Sequence, residues 1–158
     1  MRNSVDVVIP MQHNFEGLTF RLGNEATLDA ARTAQPVRPF APETLALLQR
    51  FSHILMSDSR SRGWSDVISL AFWCRKASLE QIKNQHALPG YLLGRGIAFH
   101  IAPSNVAVNF AYSLIAGLLT GNANIVRLPS KHFAQVDIIC EALSKTLQEF
   151  PLQAHRIV

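Results

Sequence analysis

Residues 96–126 contain no Asp, Glu, Lys or Arg, and this uncharged stretch constrains the fold more than any other feature of the chain. A run so apolar lies either in a bilayer, where about 20 residues cross as one helix, or in a protein interior. Its punctuation decides between the two. His100, Pro103, Ser104, Asn105, Asn109, Gly117, Gly121, Asn122 and Asn124 divide it into three elements, each too short to span a membrane. The stretch therefore reads as strand, helix and strand of a buried unit.

The elements follow from pattern and punctuation. Residues 96–101 form a nearly continuous apolar strand, Pro103-Ser104-Asn105 a turn, and Val106 to Thr120 a helix apolar on nearly all sides. Gly121-Asn122 stops that helix as a left-handed cap would. Ala123 to Leu128 is a second strand, Pro129-Ser130 a turn, and Phe133 to Phe150 a helix through Val136, Ile139, Leu143 and Leu147, with His155–Val158 opening a third strand. The order β-α-β-α with apolar strands predicts a parallel sheet with right-handed crossovers.

The preceding part is helical. A helix starts at Pro42, a favoured first-turn residue, and runs through Leu45, Leu48, Phe51 and Leu55 to a stop at Ser59–Gly63. A second covers 65–76, capped by Ser65, burying Val67, Ile68, Leu70, Ala71, Phe72 and Trp73 and placing Arg75-Lys76 in its last turn. Ser78 to Gln85 is a third, before Pro89-Gly90, and Thr27 to Thr33 a short one. Val5, Val7 and Ile9, then Leu18 to Leu22, suggest a β-type arm or hairpin over 1–24. The expected organisation is α/β: the arm at 1–24, an α-rich segment at 25–90, and the first βαβα units of a Rossmann-like sheet at 91–158.

Composition narrows the function. The net charge of +4 comes from 15 Lys and Arg against 11 Asp and Glu, without a basic block or interleaved aromatics, so a nucleic-acid partner is not expected. Two cysteines are too few for a disulfide scaffold, and the amino terminus lacks the apolar core of a secretory signal; a cytoplasmic setting is expected. His53, His86, His100, His132 and His155 form no metal-ligand spacing such as HExxH, and no carboxylate pair stands out. Phe72, Trp73 and Tyr112 read as core packing.

In a doubly wound sheet, ligands bind beyond the carboxyl ends of the strands. Those ends hold Pro103-Ser104-Asn105 and Arg127-Leu128-Pro129-Ser130-Lys131. One turn offers an amide, the other two cations and a hydroxyl, a set suited to a ribose, phosphates and a reacting carbonyl. By residue type alone Asn105 is a helix cap and Arg127 and Lys131 are solvated cations. Neither GxGxxG nor GxxxxGK[ST] occurs, so any nucleotide is held in another style.

The run HIAPSNVAVNFAYSLIAGLLTGNANIVRLPSK resembles the aldehyde dehydrogenase succession of strand, Pro-Trp-Asn turn, apolar helix, Gly-Asn, strand and Lys-Pro-Ser-Glu. It is closer to acyl-CoA reductases of the luminescence fatty-acid-reductase type within that superfamily, which share the Pro-Ser-Asn turn and the Arg-x-Pro-Ser-Lys ending. SDVISLAFWCRKASL also looks like that family, so the resemblance covers residues 60–135 well and the first 40 hardly at all. It implies an amino-terminal portion that carries the cofactor platform of a reductase making fatty aldehyde from an acyl-CoA or acyl-protein thioester through a cysteine thioester.

By the same resemblance, Asn105 donates to the substrate carbonyl oxygen in an oxyanion hole. Pro103, Ser104, Arg127, Ser130 and Lys131 bind the cofactor, Arg127 matching the lysine that holds the adenosine ribose. Lys131 replaces a glutamate that binds ribose hydroxyls, which favours NADPH, with NADH as the second choice. Cys74 and Cys140 lie in apolar helical patterns and fail as nucleophiles; the family's cysteine belongs to a separate downstream domain, expected to be absent here. An acyl-protein synthetase-like subunit and self-association are the expected partners. The alternative is a non-catalytic remnant serving as an oligomerisation or partner-binding module.

Overall fold

The computed structural model describes residues 17–86, 91–128 and 130–158. The fold is α/β, mostly helical, with a small parallel sheet. Helix α1 (Glu25–Arg32) is capped by the Asn24 carboxamide, which accepts from the Thr27 N–H at 2.9 Å. Helices α2 (Pro42–Ser57), α3 (Ser65–Trp73) and α4 (Lys76–Gln85) follow, with a 3-10 turn at Ser59–Gly63. Strand β1 (Ile97–Ile101), α5 (Asn109–Leu119), β2 (Ala123–Arg127) and α6 (Ala134–Glu149) complete the chain, before a 3-10 turn at Pro151–Arg156.

Strands β1 and β2 are parallel, in register Ile97↔Ala123 to Ile101↔Arg127. Ile157 adds a single isolated parallel bridge to Asn124; the third strand expected at His155–Val158 does not form, since His155 and Arg156 belong to the 3-10 turn. The α5 carboxyl end is a Schellman cap: Gly121 N–H donates to Leu118 O and Asn122 N–H to Gly117 O, with Gly121 at φ +86°. No helix among the described residues is long and apolar enough to cross a membrane.

Several expectations are corrected. Leu18 to Leu22 is turn and bend rather than strand; the rest of the proposed arm, like Pro89-Gly90, lies outside the described residues. Helix α3 ends at Trp73, and its N-cap is Trp64, without a side-chain cap bond, rather than Ser65. The chain breaks there because the Phe72 carbonyl is taken by the Arg75 N–H and the Ser78 hydroxyl, so Arg75 caps α4 and Lys76 opens it. Trp73 and Tyr112 do pack together, centroids 5.2 Å apart, but Phe72 is exposed beneath the Arg75 guanidinium. Helix α5 begins three residues later than expected, because residues 104–108 form turns, closed by the Asn109 N–H to Val106 O and the Ala111 N–H to Val108 O.

The core is built around α2, whose Leu47, Leu48, Phe51 and Leu55 are fully buried against α3, α5 and α6. The Ser52 hydroxyl ties α2 to α3 through Ala71 O at 2.6 Å. Arg50 grips Glu149 of α6 with two hydrogen bonds, at 2.8 and 2.7 Å, and Arg60 bridges Asp58 and Glu141. One sheet face packs on α5; on the other, Ile97, Phe99 and Ile101 stand 40%, 62% and 66% exposed, an apolar row exposed among the described residues.

Between α5 and the sheet, buried Asn124 accepts or shares a proton with His100 Nε2 at 2.9 Å and donates to Asn122 O. Gly117 makes room for it: a Cβ there would stand 1.8 Å from Asn124 Oδ1. In an exposed helix Gly→Ala stabilises by up to about 1 kcal/mol; here the clash reverses the sign. Gly117→Ala is expected to destabilise by about 1–3 kcal/mol, read as a lower urea midpoint, and a higher midpoint would refute the packing argument.

The arginine pairs set an acid limit. Hydrogen bonds from Arg60 and Arg50 hold Glu141 and Glu149 below their ordinary value of 4.5, and Arg60 likewise lowers Asp58. Carboxyls that bind protons more weakly when folded support the fold above their unfolded pKa and lose that support as pH falls through the folded one. Replacing both arginines by methionine is therefore expected to flatten the acid limb of a stability profile below about pH 4.5, leaving its neutral slope unchanged.

Candidate functional site

The parallel register sets the two turns beside one another. Ile101 pairs with Arg127, and the Ala102 N–H donates to Arg127 O at 3.2 Å, so both chains leave the sheet together. Pro103, Ser104, Asn105, Arg127, Ser130 and Lys131 are all exposed there. Asn105 does not cap α5: the N-cap is Val108, without a side-chain cap bond. Its amide makes no hydrogen bond among the described residues.

Arg127, Ser130 and Lys131 line one cavity of about 890 Å³; Pro103, Ser104 and Asn105 lie outside its wall. Residues 17–22, the end of β2 and the first turns of α6 also line it, together with the apolar side chains of Phe99, Phe110, Leu114 and Ile125. Neither Arg127 nor Lys131 pairs with a carboxylate among the described residues; the Lys131 ammonium lies 5.1 Å from the Phe133 ring centroid. The cavity's acid, Asp137, is held by Arg21 and by His132, the latter at 3.5 Å.

Arg21 and His132 escaped the sequence reading. The signal for His132 was its place beside Lys131 in the second turn. Arg21 gave no signal, since it meets Asp137 across 116 positions of sequence. Among the described residues, no group of three His, Cys, Asp or Glu side chains could hold a metal ion.

The matched family model is that of the LuxC acyl-CoA reductases, and it covers residues 24–152. The chain belongs to the LuxC acyl-CoA reductase family. The match runs from the cap of α1 to the turn after α6, and so takes in both strand ends and far more of the chain than the motifs at 60–135 alone. No curated protein and no solved structure matched.

Neither Cys74 nor Cys140 is an exposed thiol. Burial pushes the Cys74 thiol up to about 12 and the Cys140 thiol up to about 11. Cys74, the C-cap of α3, belongs to the buried core cluster, and Cys140 belongs both to that cluster and to the cavity lining. Both thiols are expected to react with iodoacetamide in the folded chain at least about a hundredfold more slowly than a free cysteine of pKa near 8.5, and at the ordinary rate in denaturant. Fast labelling of either in the native chain would restore it as a nucleophile.

Proposed function

We propose that this chain carries the nicotinamide-nucleotide platform of an acyl-thioester reductase, on an aldehyde-dehydrogenase-like, Rossmann-type sheet begun by β1, α5, β2 and α6. The observation that supports the reading is the convergence of Arg127, Ser130 and Lys131 on one cavity beyond the strand ends, with Asn105 uncommitted on the adjoining turn. The residues fit such a group. Two cations without a carboxylate partner among the described residues and a hydroxyl can hold ribose and phosphate oxygens, in a volume within the roughly 300–1,000 Å³ of small-molecule sites.

In this reading Arg127 holds the adenosine ribose. Lys131, a cation where an acid would repel a 2′-phosphate, sets the preference for NADPH over NADH, with Ser130 donating beside it. Pro103 and Ser104 shape the turn against which the nucleotide lies. When bound, the nucleotide supplies the hydride. Asn105 donates to the acyl carbonyl oxygen as negative charge grows there, a contact worth about 2.7–4 kcal/mol in oxyanion holes generally. The acyl group arrives as an acyl-CoA or acyl-protein thioester, the latter from a synthetase-like subunit. Its transfer is assigned to a cysteine outside these 158 residues, since Cys74 and Cys140 are buried and protonated.

Calorimetric titration tests the platform. NADPH is expected to bind more tightly than NADH, Arg127→Ala to weaken it about tenfold by removing a charged hydrogen-bond donor, and Asn105→Ala to leave it within about twofold because the amide faces the acyl group rather than the nucleotide. Equal weakening by both variants would overturn the division of roles. The bare row of Ile97, Phe99 and Ile101 favours the second reading, a partner-binding module. A folded chain that binds neither nucleotide yet sediments as a defined oligomer would replace the first reading with it.

A further inference from the structure

We infer that Arg21 completes a subsite for a phosphate monoester carried on a ribose, shared with Lys131 and His132 of the second turn. Its nucleotide form, a 2′-phosphate, rests on the nucleotide reading; the anion subsite itself does not. Three observations carry the inference.

The first is a single carboxylate that gathers two basic groups. Asp137, in the first turn of α6, accepts from Arg21 Nη2 through Oδ1 and faces His132 Nε2 at 3.5 Å through Oδ2. His132 follows Lys131 in the chain. Asp137 therefore holds the Arg21 guanidinium beside the second turn, across 116 positions of sequence.

The second is charge. Arg21, Arg127 and Lys131 are permanent cations in the cavity lining, and Asp137 is the one acidic side chain there among the described residues. Three positive charges against one negative leave an excess of two, which matches the roughly −1.5 to −2 that a phosphate monoester carries near neutral pH. A neutral ribose leaves that excess unmet.

The third is the unused part of the guanidinium. Only Nη2 of Arg21 makes a hydrogen bond among the described residues, while an arginine offers about five N–H groups in a planar fork suited to phosphate oxygens. The Arg21 side chain is 44% exposed and that of Asp137 31%, so a ligand reaches both, and an exposed ion pair opens at little cost. Bound so, the phosphate bridges Arg21 and Lys131, with His132 donating from the same turn, and ties residues 17–22 to the end of β2.

The test is calorimetric titration of the whole chain and of Arg21→Gln with NADPH, NADH, adenosine 2′-monophosphate, adenosine 3′-monophosphate and adenosine. Arg21→Gln is expected to weaken NADPH and the 2′-monophosphate about tenfold, the value of a charged hydrogen bond. It is expected to leave NADH within about twofold, since NADH lacks the monoester; a loss of fold would weaken both nucleotides alike. Arg21→Lys, which keeps the charge and loses the fork, is expected to fall between the two.

Preference for the 2′-monophosphate assigns the subsite to the nucleotide. Preference for the 3′-monophosphate, with the same dependence on Arg21, assigns it to the ribose phosphate of CoA. Monophosphate affinities that Arg21→Gln leaves unchanged, NADH weakened as much as the monophosphates, or adenosine bound as tightly as they are would overturn the subsite. A chain that binds a monophosphate through Arg21 but neither dinucleotide would remove the nucleotide reading and leave the subsite standing.

Discussion

The structure depends on a knot of backbone at the amino ends of the two strands. There the loop after α1, the approach to β1 and the end of α5 cross within contact. Gly121 O accepts from the Val37 N–H at 3.0 Å and from the Arg156 guanidinium at 2.8 Å, while Val37 O accepts from the Gly94 N–H at 2.9 Å. A Cβ on Gly121 would stand 2.1 Å from Val37 O, and one on Gly94 2.2 Å from Gly121 O, so no side chain fits where these segments meet. Arg156 is buried, reaches Gln35 O as well, and has no carboxylate beside it among the described residues. Burial lowers its pKa from the ordinary value, and its charge is met by carbonyl dipoles alone, an arrangement that persists only where the surrounding chain is already fixed.

What the knot fixes is register. Once Ala123 N–H donates to Gly96 O and Arg95 N–H to the Asn122 carboxamide, the two strands have a single alignment, because a one-residue slip would turn every side chain to the opposite face. Five residues further on, that alignment delivers Ile101 beside Arg127. The placement of the Asn105 amide and the cations is therefore decided about one strand length away from them. The buried Asn124, seated against Gly117 and His100, enforces the same register from within, since its polar groups are satisfied only in this alignment.

The site divides between buried groups that position it and exposed groups at its surface. The sheet and α5 supply position, through groups that are buried and satisfied. Asn105, Arg127 and Lys131, to which the proposal gives the functional roles, are exposed and, among the described residues, not consumed by carboxylates. Membership of the LuxC acyl-CoA reductase family gives this arrangement its chemical context, and both cysteine thiols are buried.

The sequence by itself determined the elements and the ends that matter. The charge-free stretch, the Gly121 stop and the apolar runs at 97–101 and 123–127 carry local information, and local propensity and hydrophobic period suffice to read them. The helix at Pro42 was legible for the same reason. Tertiary structure decided what local rules cannot express. Val106–Val108 carries helical residues yet forms turns, which removes Asn105 from capping; Trp73 ends a helix that periodicity would continue; Phe72 lies outside, under Arg75. The cavity, too, is a tertiary product. Part of its lining comes from Leu18 to Leu22, read as a strand, and is tied to α6 by Arg21 and Asp137, which lie far apart in sequence. Pairings of that separation leave no periodic trace, because they are selected by the packing of whole elements rather than by the preferences of neighbouring residues.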